Sequence, residues 1–416
     1  MKRMRSLACA LLALMWCCCG ALAEGAFSEE QMQADLSALR SGLEFGHKNL
    51  FAHVTQAEWD AERQRILDEI PELTPAQFYY ELRHLVAMVG DAHTSIDFAQ
   101  DKYHYLTALP FAVAHFADGW RLLMLEECNQ AYLGFELTAI DGVPIEEVFE
   151  RSKAIISCEN DVWARQQFSN AINFLEALQY LDVTAMAADS VTLTVRRDAD
   201  SPEEALVIPG MDEQAIMSAN IVSFVPDAVP QTAAGGIYRA LAVDEDCLFI
   251  QYNSCQEAPD MSMQAFADAV RAAMEGMNCR RLIFDLRYNT GGDSSVLKPL
   301  IEALAEYREE NQLDGYVLIG ADTFSSAILN AVELQEALDA VLVGEPTGGS
   351  VNGYGEILSF SLNNMPLDVY YSTKYFEMVP GYPAGESLMP DMAVESTFED
   401  YRSGRDAAVE AVLAAN

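Results

Sequence analysis

Apolar and polar positions alternate along this chain with two different periods, and the change of period marks its parts. From residue 24 to about residue 89 the period is helical. Ser28, ahead of Glu29 and Glu30, is placed to cap a first helix, along which Leu36, Leu39, Leu43 and Phe45 recur near helical spacing. A second helix is expected after Thr55, and a third after the cap-plus-proline pair Thr74-Pro75. The third carries Phe78, Leu82, Leu85 and Met88 inward and stops at Gly90, which leaves Asp91 and His93 on a loop past a packed helix. From about residue 94 to 208 short β-type runs dominate, at 109–114, 120–125, 136–140 and 190–196, with helical pieces at 145–151 and 161–181. A less patterned connector follows. Beyond residue 236, strand and helix alternate: 247–252, 263–274, 282–286, 294–307, 316–319, 326–338 and 341–343. Such alternation predicts βαβ units and a largely parallel sheet. Runs at 357–362 and 367–371 read as strands again, and 405–413 as a closing helix.

Within the βαβ part, the stretch from Arg281 to Ala327 stands out. It opens RLIFDLRYNTGGD and closes GYVLIGADTFSSA. One buried run leads into the pair Gly291-Gly292, and the other into Thr323-Phe324-Ser325-Ser326 directly ahead of a helix. Chemistry on parallel sheets gathers at the carboxyl ends of strands. A serine at a strand-to-helix junction is exposed near the positive end of a helix dipole, which suits a nucleophile. An adjacent glycine pair can turn free backbone N–H groups toward a developing oxyanion. The competing reading is that Ser325 or Thr323 only caps the helix and that the glycines only form a tight turn.

Composition narrows the setting. At 416 residues the chain is long enough for two or three cores, since one core rarely grows past roughly 250–300 residues. Lys2, Arg3 and Arg5, an apolar run through residues 7–19, and Ala21-Leu22-Ala23 form a secretory signal, with cleavage expected after Ala23. The protein is therefore expected to be exported, and no later stretch is long enough for a membrane span. Without the signal, 22 basic residues face 64 acidic ones, a formal charge of −42. That excludes nucleic acid and anionic membranes as natural partners, because phosphate binding needs clustered cations. There is no EF-hand spacing, no CxxC pair, and neither metal nor cofactor is expected. Five cysteines remain, Cys128, Cys158, Cys247, Cys255 and Cys279; one bridge between Cys247 and Cys255 is conceivable, but buried free thiols are the better expectation.

Two resemblances follow from these residues. LGFELTAIDGVPIEEVF resembles the carboxyl-terminal half of a PDZ domain, with a strand, a DG turn and a helix in succession. DLRYNTGG, then TFSSA, GEPTGG and Met389-Pro390-Asp391, in that order and spacing, resemble the tail-specific, or carboxyl-terminal processing, serine proteases and their tricorn-core relatives. The resemblance implies an α/β, crotonase-like core with an N-terminal helical domain and a β-rich PDZ-like domain. The corresponding division is signal 1–23, helical domain 24–93, PDZ-like domain 94–210, connector 211–236 and catalytic domain 237–416. It also implies that Ser325 is the nucleophile, with Gly291 or Gly292 and the amide of Ser326 as the oxyanion hole.

A serine needs a base, and here the chain departs from one branch of that family. Where the processing proteases carry a lysine 25 residues past the nucleophile, this chain has Ser350, and the only lysine after Lys298 is Lys374. The tricorn-like branch uses an upstream histidine, and His93 within GDAHT fits that place. His47, His53, His84, His104 and His115 are weaker candidates. By the same resemblance Glu386, five residues before Asp391, is the orienting third group; Asp91, Glu356 or a backbone carbonyl are the alternatives. The branch has a serine directly before its histidine, and this chain has Ala92. The expectation is an exported serine peptidase acting on unfolded or carboxyl-terminal segments of peptide or protein substrates. The alternative is a non-catalytic relative that binds peptide termini or a lipophilic ligand.

Overall fold

A computed structural model describes residues 27–99 and 106–415. The expected signal segment and His104 lie outside the described residues. Three helices open the chain, α1 (Glu29–Gly46), α2 (Gln56–Glu69) and α3 (Pro75–Ala87). Ser28, Thr55 and Thr74 each close a capping box with the residue three positions on, which satisfies amide groups that the first helical turn leaves open. Gly90 lies just past α3 with φ +68°, and strand β1 (Ser95–Phe98) follows.

The next part is built on an antiparallel sheet of β2 (Phe111–Phe116), β3 (Gly119–Glu126), β4 (Glu136–Ile140), β5 (Val143–Pro144), β6 (Ser190–Arg196), β7 (Glu204–Pro209) and β8 (Ile221–Ser223). Its helices are α4 (Ile145–Ser152), α5 (Asp161–Ala171), α6 (Leu175–Tyr180) and α7 (Glu213–Ser218). The helical run expected at 161–181 is thus two helices, broken at Ile172. Period-two burial in β6, with Val191, Leu193 and Val195 inward, packs this sheet onto the N-terminal helices in one continuous core. Within the expected connector, β8 extends the sheet by pairing with β3.

Strands β9 (Tyr238–Asp244), β10 (Cys247–Tyr252), β11 (Arg281–Asp285), β12 (Asp314–Ile319), β13 (Val341–Gly344) and β16 (Met392–Ala393) form the second large sheet, in the order 16-13-12-11-10-9. All neighbours are parallel except β9 with β10. Helices α8 (Met263–Met277), α9 (Lys298–Glu310) and α10 (Ser326–Leu338) make the crossovers, and apolar residues are buried on both faces, as parallel sheets require. The hairpin β14 (Asn352–Ser361) and β15 (Leu367–Glu377) leaves this unit, and β15 pairs with β1. Leu367 and Val369 thereby enter the N-terminal core. The chain ends with α11 (Phe398–Ser403) and α12 (Ala407–Ala414). No helix among the described residues is long and apolar enough to cross a membrane, and the five cysteines named above are free.

Candidate active site

Three loops meet at the carboxyl ends of β11 and β12. The loop after β12 is fastened to the one after β11 by its backbone. Thr323 Oγ1 donates to Leu286 O at 2.9 Å and accepts from Gly320 N at 3.0 Å, and Phe324 N donates to Asn289 O at 3.1 Å. Thr323 is therefore a tether of the loop rather than a helix cap. Ser325 sits at the helix start with φ +54° and ψ −127°, and its hydroxyl makes no cap hydrogen bond. A non-glycine residue there carries strain on the order of 1–3 kcal/mol, held in place by the fastened loop. Its Oγ lies 3.0 Å from His93 Nε2, which comes from the loop after α3.

Beside Ser325 the glycine pair is packed backbone to backbone. Gly291 has φ +105°, and a Cβ there would fall 2.8 Å from Ser325 Cβ and 3.1 Å from Ser326 N. The Gly291 N–H is already donated to Asn289 Oδ1 at 2.9 Å, so Gly291 is not a free donor. Its carbonyl accepts from Cys255 N at 2.9 Å, and the Gly292 carbonyl accepts from Ser326 Oγ at 2.7 Å. Every polar group of the pair is thus engaged except the Gly292 N–H, which with the Ser326 N–H at the first turn of α10 has no acceptor among the described residues. Two unengaged amides beside a serine are the donor set an oxyanion requires.

His93 is held from several sides. Its own amide donates to Asp91 Oδ1 at 2.9 Å. Its ring stacks on Phe324, with centroids 4.6 Å apart, and Phe324 stacks in turn on Trp163 of α5 at 4.0 Å. Asp91 Oδ2 accepts from Thr94 Oγ1 at 2.6 Å and meets His47 Nε2 at 3.0 Å. Asn49 N donates to His47 Nδ1 at 3.1 Å, which assigns the proton to His47 Nε2. Burial works against the Asp91 charge, but the hydrogen bonds from His47 and Thr94 prevail and hold its carboxyl below the usual range. Burial lowers the His93 pKa despite the charge of Asp91, so the ring is neutral and able to accept a proton at neutral pH.

Other expected residues lie apart. Glu386 is on an exposed loop; the carboxylates beside the His93 ring belong instead to Asp91 and to Glu159, which the sequence reading did not single out. The Glu386 carbonyl accepts from Val351 N, so its backbone does serve the neighbouring loop. Asp391 accepts from Leu342 N at 2.9 Å and braces β13. Lys374 pairs with Glu356 at 2.9 Å on the exposed hairpin, and Ser350 bridges to Ser387. His47, one of the weaker candidates for the base, follows α1 directly and hydrogen-bonds Asp91. Trp163 and Glu159 were missed because nothing in periodicity or spacing near α5 distinguishes them from surface residues. Donor atoms of Asp91, His93 and Glu159 lie within 4.8 Å of one another. The Asp91 oxygens already accept from His47, Thr94 and the His93 amide.

No family model and no curated protein matches this sequence. Among solved structures, mature CPAF complexed with lactacystin aligns over 92% of this chain and 97% of its own, at 13% identity and TM-score 0.63. A CPAF point mutant aligns over 90% and 95%, at 13% identity and TM-score 0.62. The photosystem II D1 C-terminal processing protease aligns over 92% and 99%, at 15% identity and TM-score 0.39. In fold, this chain is similar to CPAF over nearly the whole length of both.

Proposed function

We propose that this protein is a serine-type peptidase in which Ser325 is the nucleophile and His93 its general base. The observation that carries the reading is the 3.0 Å approach of His93 Nε2 to Ser325 Oγ, made by a serine that is strained and does no capping. As Oγ attacks the peptide carbonyl carbon, its proton passes to Nε2, and the same proton goes to the departing amine when the tetrahedral intermediate collapses. The carbonyl oxygen, now anionic, is received by the N–H groups of Gly292 and Ser326. Water then repeats the sequence on the acyl-enzyme. The absence of a lysine at position 350 agrees with a histidine-based mechanism.

On this reading the parallel-sheet unit is the crotonase-like catalytic core, and the antiparallel sheet with its DG turn at Asp141-Gly142 is the PDZ-like module. Substrates would be peptide or protein segments, unfolded or carboxyl-terminal, met outside the cytoplasm after cleavage of the signal near Ala23. Covalent labelling by a fluorophosphonate tests the assignment, because it requires an activated hydroxyl. Labelling of the wild type that vanishes in Ser325→Ala is expected; labelling that survives in the variant would overturn it.

A further inference from the structure

His93 is aimed at Ser325, and its ring has to be kept from turning about the Cβ–Cγ bond. In many histidines a hydrogen bond from the second ring nitrogen does this. His93 Nδ1 is buried and has no such partner among the described residues. Asp91 Oδ1, at 3.8 Å, is beyond hydrogen-bond reach. The ring is held by packing instead. Phe324 stacks on it with centroids 4.6 Å apart and planes inclined by 27°, and Trp163 backs Phe324 at 4.0 Å and 12°. The glycine pair of GEPTGG closes around the same two rings. A Cβ on Gly348 would fall 2.8 Å from Trp163 Cε3, and one on Gly349 2.9 Å from Phe324 Cδ2. Helix α5 brings Trp163 to this place. One side of it buries Ala164, Phe168 and Ala171 in the N-terminal core. Another side meets the catalytic loops: Asn160 Nδ2 donates to Gly385 O at 3.3 Å, and Gln166 donates to Asp322, three residues before Ser325.

We propose that Trp163 is a positioning residue for the base: stacked on Phe324, it holds the His93 ring in the plane that presents Nε2 to Ser325 Oγ. The proposal rests on the peptidase reading for its purpose, though not for its geometry. It gives the helical layer of the antiparallel-sheet unit a part in catalysis without contact with the reacting atoms. It also gives the glycines of GEPTGG a physical reason, since any side chain there would occupy the space the two rings fill. The stacked rings carry no charge, so their effect is on orientation. A base displaced by about 1 Å from its line of attack loses on the order of 10²-fold in rate, and the loss falls on kcat rather than on substrate binding.

The test combines fluorophosphonate labelling and peptide hydrolysis with ¹H–¹³C NMR of the His93 ring in the full mature chain. In the wild type the ring current of Phe324 should shift the His93 ring protons upfield of the ordinary histidine range. Trp163→Leu keeps an apolar side chain but no flat ring, and it should move those protons back toward that range. The same variant should slow labelling and lower kcat by about 100-fold with KM unchanged. Trp163→Phe keeps a flat ring and should stay within about threefold of the wild type. Gln166→Ala releases the same helix from Asp322 without touching the rings, and should label at nearly the wild-type rate. A wild-type His93 ring with no upfield shift would overturn the proposal, and that reading needs no variant to fold. So would a Trp163→Leu protein that labels normally, a loss confined to KM, or a Gln166→Ala protein as slow as Trp163→Leu, because docking of the helix alone would then account for the effect. The ring resonances are read without turnover. A wild-type chain that is never labelled would therefore count against the peptidase reading alone, with the Trp163 assignment still decided by the His93 shifts.

Discussion

His93 Nε2 and Ser325 Oγ stand 3.0 Å apart although 232 residues of chain separate them. One belongs to a loop past an N-terminal helix, the other to the first residue before α10 of the parallel-sheet unit. The contact joins two separately formed cores. It is maintained by strand β15, which leaves the parallel-sheet unit to pair with β1 and brings Ser372 N to Thr94 Oγ1 at 3.3 Å, one residue from His93.

Replacement of Ser325 should separate catalysis from stability. Both Ser325→Ala and Ser325→Gly should lose hydrolysis of unfolded peptides and fluorophosphonate labelling entirely. The backbone at φ +54° is strained for alanine as for serine, whereas glycine adopts it freely. Ser325→Gly should therefore be the more stable of the two by about 1 kcal/mol in urea unfolding. Ser350→Ala should leave activity nearly unchanged; equal damage there would place the nucleophile elsewhere.

His93→Ala should cost about 10²–10⁴-fold in kcat with little change in KM, since the ring acts on the reacting proton rather than on substrate binding. Burial lowers the His93 pKa, so the wild-type ring should stay neutral, and competent as a base, somewhat below the ordinary histidine range. The acid limb of kcat/KM is accordingly expected below the ordinary histidine value of 6.5. A limb above that value would contradict the base assigned here.

Gly291→Ala should damage both the site and the fold. A Cβ would press on Ser325 Cβ at 2.8 Å from a backbone at φ +105°, next to groups that cannot retreat. A loss of about 100-fold or more in kcat is expected from displacement of the Gly292 and Ser326 amides. A lower melting temperature should accompany it, and normal kinetics in a folded variant would remove the glycine pair from the oxyanion hole.

Asp91→Asn should loosen the loop that carries His93. It removes the acceptor of His47 and Thr94 in a dry setting, a change worth about 1–3 kcal/mol or more. The folded-state pKa of Asp91 is depressed, so its contribution to stability is present above the unfolded carboxylate value of 3.8 and fades as pH falls through the lower folded value. Urea unfolding of the two proteins should show a gap at neutral pH that narrows below about pH 4.

Much of the local structure was legible in residue order. Periodicity located β10, β6 and α10 with their observed bounds, because each is a continuous apolar pattern between clear turn or cap residues. It missed β7, β8 and β9, which are half exposed, and took α5 and α6 as one helix. The glycine pair and the serine were also readable, since a strand that ends in Gly-Gly and a helix that begins after Ser-Ser have few structural excuses. The choice between Gly291 and Gly292 as donor was not, because it depends on where Asn289 Oδ1 lies.

What the sequence by itself determined, then, was half of a candidate site: a serine at a strand-to-helix junction and a glycine pair beside it, whose parts lie within one βαβ stretch and follow from local backbone rules. It also supplied His93 as a candidate. Only the tertiary structure decided that His93 reaches Ser325, that His47 secures Asp91 behind it, and that Glu159 rather than Glu386 is beside the ring. These contacts cross three packed units, and the burial that shifts His93 and Glu159 exists only once those units have closed on one another.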